Sequence, residues 1–416
     1  MSETAAPARL IWALGVTQII GYGSLYYSFS ILAPEMARDV SLPLDWLFAI
    51  LSVCLLAGGM MAPKAGRWAD RFGAARLMAP GSLAAGLALL AAALAPNAFS
   101  LGLSLAAMEI ASAFVLYGTA FAAIVQAGGR SAQRSITHLT LIAGFASTLF
   151  WPLTSGLHEH LSWRMVYMLF AALNILVCLP IHVWVGRLPR QDDPQPVAKV
   201  ALSDPADVPT VVAKPASRLP SGNLLFALML AAFAAEGLVL ASILVHMVPL
   251  LTALGLGSAG LLVSALFGPS QVASRLINML FGGRLSQTVL AVIAAGLLPL
   301  ALLLLTATSP WLPGVMVFAV LFGLGSGLTS IVGGTLPLEL FGRAGYGARL
   351  GWVTAARQFS SALAPFAFAF ALQRFGTEVA LTIGIVLGAG GLALFAAIAV
   401  LRYRAVPPSA VAAPGE

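Results

Sequence analysis

The sequence predicts an all-α membrane protein in which twelve transmembrane helices form two pseudo-symmetric six-helix bundles. Three observations support this prediction. Of the 416 residues, 60% are apolar and only 9% are charged, whereas about a quarter of a soluble domain is charged. Apolar runs of roughly 20 residues, the length that crosses the hydrocarbon core as a helix, recur from end to end. One long polar segment divides these runs into two equal sets.

Charged or Gly/Pro-rich turns separate the individual helices. The first apolar run is too long and too rich in tyrosine for the core of a signal peptide, so it is retained as the first helix. Alternating segments of about ten residues, typical of a membrane β-barrel, do not recur. The predicted spans are 10–33, 46–63, 77–96, 98–121, 136–157, 165–186, 223–248, 258–281, 287–308, 311–336, 350–372 and 379–401.

A polar segment separates the two sets of six helices. Its sequence, RQDDPQPVAKVALSDPADVPTVVAKPASRLP, is rich in Pro and Asp and poor in aromatic residues. Such a composition is typical of a flexible linker, because it cannot bury enough apolar surface to fold. The predicted domains are therefore an N-terminal six-helix bundle, 1–186, a cytoplasmic linker, 187–222, and a C-terminal six-helix bundle, 223–416.

Basic residues predict the orientation of the helices. Most of the 22 Lys and Arg residues fall on the side of the membrane that also holds both termini, and the positive-inside rule places that side in the cytoplasm. Topology therefore explains the formal net charge of +7, and no nucleic-acid partner is expected. We expect a monomeric integral protein of a bacterial inner membrane, surrounded by the lipid bilayer.

Two local matches indicate an internal duplication. Gly66 and Gly283 each begin a Gly-Arg pair after the second helix of their half. Pro152 and Pro365 each follow a serine-containing segment in the fifth helix of their half. The two matches have similar offsets along the chain, which favours a duplicated six-helix unit over coincidence.

The segment GRWADRFGAARL, between the second and third helices, resembles the loop signature of the major facilitator superfamily. The matching residues are Gly66, Asp70, Arg71 and Gly73. The resemblance implies the major facilitator fold and transport by alternating access, with this loop as a gate. The glycines allow a tight turn, and the carboxylate can pair with arginines or cap a neighbouring helix. In the second half Gln287 stands at the position of the acid.

The eighth helix, which contains GPSQVASRL, resembles that of the monocarboxylate and oxalate-type anion porters of the superfamily. Monocarboxylate members carry an acid four residues before an arginine in this helix. The present chain has the arginine, Arg275, but Gln271 at the position of the acid. The resemblance therefore implies no proton-handling role for Gln271. Oxalate-type porters hold a dianion with one cation on each of the eighth and eleventh helices, and this resemblance implies an anion site formed by Arg275 and Arg357.

Four ionisable residues, Glu109, Glu236, Arg275 and Arg357, lie well inside predicted spans. A charge at the bilayer centre costs about 3 kcal/mol on insertion scales, so each needs water, a partner or a substrate. The predicted helix ends place both arginines roughly 10 Å inside the cytoplasmic boundary, at a shared depth. A guanidinium binds a carboxylate with two parallel hydrogen bonds. The alternatives for Arg275 are snorkelling to the interface, a structural acid, or backbone carbonyls near Pro269.

Glu109 and Glu236 fall near the middle of the fourth and seventh helices, which line the central cavity in the superfamily. A carboxyl group whose surroundings alternate between hydrated and dehydrated can take up and release protons, because dehydration disfavours its charged form. Both residues are therefore candidates for proton coupling. A fixed Glu-Arg bridge and a neutral glutamic acid hydrogen-bonded within the bundle are the alternative hypotheses.

On the first helix Gln18, Tyr22, Tyr26 and Phe29 fall on one stripe. A tyrosine combines an apolar ring with a hydroxyl, which suits a pocket for a small organic anion. Core packing and placement at the membrane interface are the alternatives. The complete set of substrate-binding candidates is Arg275, Arg357, Gln271, Tyr22 and Tyr26.

These observations predict a secondary active transporter that moves a small organic anion, a monocarboxylate or similar oxyanion, by proton-coupled alternating access, with symport favoured. The alternatives are proton-antiport efflux of drugs or other lipophilic compounds, and a transport-inactive membrane sensor. No enzyme is expected, because no metal-binding cluster of His, Asp and Glu and no Ser-His pair lies at a common depth in the membrane. Cys54 and Cys178 fall in separate apolar spans and indicate neither a disulfide nor a metal site. No cofactor is expected.

Overall fold

The computed structural model describes residues 8–128, 131–188, 222–257, 259–282 and 285–405. All regular secondary structure in these ranges is helical. Apart from its ends, the predicted linker 187–222 lies outside the described residues, and so does the predicted match at Gly283.

The N-terminal half contains six helical rods, four of which are interrupted by a break or a wide π-helical turn. The wide turn between α2 and α3, Ala69–Gly73, belongs to neither rod. The rods are α1 (Ala8–Tyr22, Gly23–Tyr27 and Ser28–Asp39), α2 (Leu44–Trp68), α3 (Ala74–Ala93), α4 (Ala98–Val115 and Tyr117–Ala127), α5 (Ala132–Ala143 and Ala146–His158) and α6 (Trp163–Leu173, Asn174–Cys178 and Leu179–Gly186).

The C-terminal half contains six further rods, most of them longer and less interrupted. They are α7 (Gly222–Leu251 and Thr252–Leu256), α8 (Ala259–Ala265 and Phe267–Phe281), α9 (Gln287–Thr308), α10 (Leu312–Phe341), α11 (Tyr346–Phe375) and α12 (Thr377–Ala405). The predicted fold class is confirmed. By length and apolar composition, 8 helical stretches of the described chain could cross a membrane, one of which, Leu44–Ala93, contains both α2 and α3.

We call the end of the bundle where α1 begins and α12 finishes the termini end, and the opposite end the far end. Several helices extend beyond their predicted spans at the termini end. The second rod continues to Trp68, the tenth to Phe341, and the eleventh already begins at Tyr346. These extensions bring the turns after α2 and α10 into contact, as described below for the functional site.

Each half has its own apolar core near the far end. In the N-terminal half, Trp163 and Phe170 of α6 pack with Leu32 and Met36 of α1. In the C-terminal half, α10 supplies buried phenylalanines to a core with α7 and α9. A third cluster joins the halves at the termini end, because it contains Phe121 and Ile136 of α4 and α5 together with Tyr346 and Leu350 of α11. The halves are therefore packed together at the termini end.

Matching side-chain caps support the internal duplication. Gln126 on α4 accepts a hydrogen bond from the Ala74 backbone N–H at the start of α3, 2.9 Å. Glu339 on α10 accepts one from the Gln287 N–H at the start of α9, 2.6 Å. The two caps are separated along the chain by the same number of residues that separates Pro152 from Pro365. The same local device therefore joins equivalent helices in both halves.

Glu339→Ala is expected to lower the thermal unfolding midpoint of the detergent-solubilised protein. Glu339 also accepts a hydrogen bond from Thr288, 2.9 Å, and forms an ion pair with Arg402. Its loss leaves these groups and the Gln287 N–H without their acceptor, at a cost of about 1–3 kcal/mol. Glu378→Ala, at an exposed carboxylate on α12, is the control. Equal midpoints for the two variants would contradict the expected role of Glu339.

Candidate functional site

The rods α2 and α11 cross in close contact at the termini end. A Cβ atom on Gly66 would overlap the Gly347 carbonyl, and one on Gly351 would overlap the Ala62 carbonyl oxygen. Glycine at these positions lets the two backbones touch. Because α2 belongs to the first half and α11 to the second, this crossing joins the halves.

Asp70 caps the N-terminus of α11 from the opposite half. Its Oδ1 accepts a hydrogen bond from the Gly347 N–H and its Oδ2 one from the Ala348 N–H, both 2.8 Å. A carboxylate is favourable here because the first N–H groups of a helix lack partners and carry partial positive charge. Gly73 ends the wide turn at φ 100, a region that suits glycine. Arg71 is exposed, with its guanidinium over the Phe72 ring.

Arg343, which the sequence analysis did not single out, makes a second contact between the halves. It lies in the turn between α10 and α11 and donates a hydrogen bond to the Val125 carbonyl oxygen near the end of α4, 2.6 Å. The carbonyl end of a helix carries partial negative charge, so a cation is favourable there. Asp70 and Arg343 thus bind opposite helix ends with opposite charges.

The match of Gly66 with Gly283 sets Gln287 opposite Asp70, whereas the equivalent caps at the starts of α3 and α9 set it opposite Ala74. The contacts of Gln287 remain within the second half. Its backbone N–H donates to Glu339, and its Oε1 accepts a hydrogen bond from Thr335, 2.6 Å. Gln287 therefore stabilises the contact between the start of α9 and α10.

Arg275 is buried, with 6% of its surface exposed. Its Nη1 donates to the Thr140 carbonyl oxygen of α5, and its Nη2 to the Ser330 hydroxyl of α10, both at 3.2 Å. The Nε atom has no partner among the described residues. Gly144 admits the guanidinium, because a Cβ atom there would overlap Nη1. Of the alternatives that the sequence left open for Arg275, a hydrogen bond to a backbone carbonyl is the one observed. The carbonyl is that of Thr140 in the N-terminal half, and not one near Pro269.

Arg357 is half-buried on α11 and forms no hydrogen bond or ion pair with any other residue in the described part of the chain. Glycines on two neighbouring helices surround it: a Cβ on Gly333 would lie 3.2 Å from its Nη1, and one on Gly237 would lie 3.3 Å from its carbonyl oxygen. Its side chain is therefore available to a ligand.

The two arginines lie at different distances from the nearest helix ends at the termini end. Arg275 is six residues from the end of α8 at Phe281, or about 9 Å along the axis. Arg357 is eleven residues from the start of α11 at Tyr346, or about 16 Å. The difference arises because α11 begins four residues earlier than its predicted span. Both guanidinium groups adjoin α10, Arg275 at Ser330 and Arg357 near Gly333, less than one turn apart, so the shared depth stays a prediction.

Tyr22 and Tyr26 of α1 belong to a group of rings in the N-terminal half. We call this group the aromatic wall; it consists of Tyr22, Tyr26, Tyr27, Tyr117 and Trp151. Tyr26 is 55% exposed and lies one turn along α1 from Tyr22, whose ring packs against Tyr117 at 4.7 Å. Tyr117 in turn stacks on Phe121, which lies against Gly334 of the other half. Tyr26 therefore faces the space between the halves.

The other two members of the predicted stripe on α1 are structural. Phe29 is buried in the core of the first half. Gln18 is fully buried, and its Nε2 donates to the Val115 carbonyl oxygen, 2.7 Å. That carbonyl lies where α4 is interrupted by Leu116, which has extended backbone angles. Broken helices of this kind line the substrate sites of many transporters.

Glu109 and Glu236 are buried, with 6% and 2% of their surfaces exposed. Glu109 has no hydrogen-bond partner within the described ranges. Glu236 accepts a hydrogen bond from Thr329, 3.4 Å, while its Oε2 has no partner there. Neither carboxylate forms an ion pair with a described arginine. Gln271 donates to Ser326, 2.7 Å, and is half-buried.

Comparison with known proteins decides the family. The family model described as Major Facilitator Superfamily matches residues 14–292. The chain belongs to the major facilitator superfamily. This facilitator is similar in fold to the crystal structure of the human organic anion transporter MFSD10 (TETRAN), with a TM-score of 0.67 and 14% sequence identity over 93% of this chain and 98% of that one. A comparison with curated protein sequences finds no match.

Membership of this superfamily makes the protein an integral membrane transporter rather than an enzyme, with a small molecule as its substrate. No three His, Cys, Asp or Glu side chains of the described chain come together in a way that could hold a metal ion.

Proposed function

We propose that this facilitator carries a small organic anion, a monocarboxylate or similar oxyanion, across a bacterial inner membrane by proton-coupled alternating access. The observation that supports the proposal most directly is Arg357, a membrane-embedded cation that has no protein partner among the described residues and lies beside tyrosines of the other half. A lone guanidinium inside the membrane is costly unless an anion or water joins it. A carboxylate substrate supplies that anion.

The substrate is held by Arg357 and Arg275, with Gln271, Tyr22 and Tyr26 as polar and aromatic neighbours. In the arrangement described, Arg275 donates to the Thr140 carbonyl across the interface. Separation of the halves at the termini end breaks this hydrogen bond and frees the Nη1 donor for the substrate, beside the Nε donor that has no partner among the described residues. Substrate binding and opening at the termini end are then linked, because one guanidinium serves both.

Glu109 and Glu236 carry the coupling proton in this proposal. Both are buried and neither forms an ion pair with a described arginine, which leaves both free to exchange a proton. A Cβ on Gly237, the residue after Glu236, would lie 3.3 Å from the Arg357 carbonyl oxygen, so the two charged residues lie on facing turns of α7 and α11. An anion at Arg357 therefore changes the electrostatic surroundings of Glu236, which couples the two sites.

The segment formed by Gly66, Asp70, Arg71 and Gly73 acts as the gate at the termini end. The halves, 1–186 and 223–416, move relative to one another about the linker 187–222, with both termini in the cytoplasm. The contacts of Asp70 and Arg343 with helix ends hold the termini end closed and must break when the site opens to that side.

The test is accumulation of radiolabelled monocarboxylates in proteoliposomes under an imposed pH gradient. We expect accumulation that a protonophore abolishes and that Glu109→Gln uncouples. An exporter of lipophilic cations would instead keep its flux in Arg357→Gln and lose it in Glu109→Gln. Ligand-dependent thermal stabilisation without flux would indicate a sensor, and either result would overturn the proposal.

A further inference from the structure

We propose that the aromatic wall makes this site selective for carboxylates carried on a flat unsaturated or aromatic ring, in preference to compact anions or saturated acids of the same size. The inference depends on the proposed function and narrows its substrate class. It rests on the geometry of five rings and on their placement opposite the two arginines.

The rings of the wall come from three helices and pack against one another. The Tyr22 and Tyr117 centroids are 4.7 Å apart with the planes tilted by 55°. Tyr27 meets Tyr26 edge-on at 5.3 Å, and meets Trp151 edge-on at 5.9 Å. These are the edge-to-face and tilted arrangements that aromatic pairs prefer. The wall is therefore preformed, and a ligand that binds it orders few additional side chains.

The wall lies opposite the two cations. Tyr117 stacks on Phe121 at 4.8 Å. A Cβ on Gly334 of the C-terminal half would overlap the Phe121 ring, and one on the adjacent Gly333 would lie 3.2 Å from Arg357 Nη1. Arg275 donates to the Thr140 carbonyl of α5, the helix that also carries Trp151 of the wall. The arginines belong to the C-terminal half and the rings to the N-terminal half. A carboxylate bound by a guanidinium therefore places the rest of the ligand against the rings.

A break in α4 holds Tyr117 at the centre of this arrangement. Leu116 is extended, and the helix resumes at Tyr117. The freed carbonyls are not left without donors, because Gln18 donates to Val115 and Thr119 donates to Ala113, 2.8 Å. These two hydrogen bonds stabilise the break and with it the position of the Tyr117 ring.

The chemistry of the wall favours a flat π-system as the body of the substrate. An aromatic ring gains offset-stacked or edge-to-face contacts with tyrosine that a puckered saturated ring cannot make, and each such pair favours the aromatic ligand by roughly three- to tenfold. A small dianion lacks an apolar body and leaves the rings uncovered. With such a substrate, the exposed rings between the halves would have no ligand to contact.

The experiment compares benzoate with cyclohexanecarboxylate, which has the same charge and nearly the same size. Both are measured as substrates and competitors with the full-length protein in proteoliposomes. We expect benzoate to bind roughly three- to tenfold more tightly. Tyr117→Leu is expected to remove this preference, whereas Tyr117→Phe, which keeps the ring, is expected to retain it. If Tyr117→Leu does not fold, Tyr26→Leu, at a ring that is 55% exposed, provides the same test.

The possible failures are distinguishable. Equal affinity for the two acids in the wild type, or a preference that survives both leucine variants, would overturn the selectivity while leaving anion transport intact. If neither acid binds and a lipophilic cation is transported instead, the proposed function fails and this inference fails with it.

Discussion

Gly66→Ala is expected to reduce transport roughly 100-fold by preventing α2 and α11 from closing at the termini end. A Cβ atom at this position would overlap backbone atoms of Gly347. Backbone atoms within a helix cannot move aside as the end of a flexible side chain can, so the cost is about 3 kcal/mol, at the upper end of the range for overpacking. The overlap exists only while the halves are closed at this end, so the variant favours the conformation that is open there.

The measurement combines flux with chemical accessibility. A single cysteine replaces Leu338, which packs in the apolar cluster shared by the halves, after Cys54 and Cys178 are changed to Ser. We expect faster labelling of this cysteine in Gly66→Ala than in the parent. Gly156→Ala is the matched control, because a Cβ there would have no neighbour within 4 Å. Slow labelling with normal flux in Gly66→Ala would refute the role of this crossing in the gate.

Arg357→Gln is expected to weaken binding of the anionic substrate strongly while leaving the protein folded. Replacement by a neutral amide removes a charged hydrogen-bond donor, which is worth about 2–3 kcal/mol, or roughly 30- to 140-fold in affinity. No described residue loses a hydrogen bond, so the unfolding midpoint without substrate should hardly change. Substrate affinity is measured by competition in proteoliposomes.

Two further variants sharpen this test. Arg357→Lys keeps the charge but not the planar fork, and we expect intermediate affinity. Arg374→Gln removes an exposed charge at the far end of the same helix and should leave affinity unchanged. If Arg374→Gln weakened binding as much as Arg357→Gln, the effect would reflect the overall field of the protein rather than a contact with the substrate.

The fold was predictable because the signals that determine it are long and repeated. Apolar runs and charged turns recur twelve times, and an error of several residues at one boundary does not change the number of helices. The loop signature likewise placed Asp70 at the junction of the halves, since capping a neighbouring helix was one of its expected contacts. Its partner N–H groups could not be named, because any helix start offers them.

The details of the site depend on features without a sequence signature. Arg275 binds the carbonyl of Thr140, and a backbone carbonyl exists at every position. The break at Leu116 contains no proline within a run that is otherwise continuous and apolar, so Tyr117 was assigned to an uninterrupted helix. The start of α11 was predicted four residues too late, because Gly345, in the left-handed region, starts the helix earlier than hydropathy alone indicates.

The hydrogen bonds that hold the two halves together share one property with evolutionary consequences. Asp70, Arg343 and Arg275 each bind main-chain atoms, and every residue type except proline offers the same N–H and C=O. Substitutions at Val125, Thr140 or Ala348 can therefore accumulate without removing the bond itself. Selection falls on the three ionised side chains and on the small residues that admit them, so homologues can diverge widely in the facing positions while opening and closing in the same way.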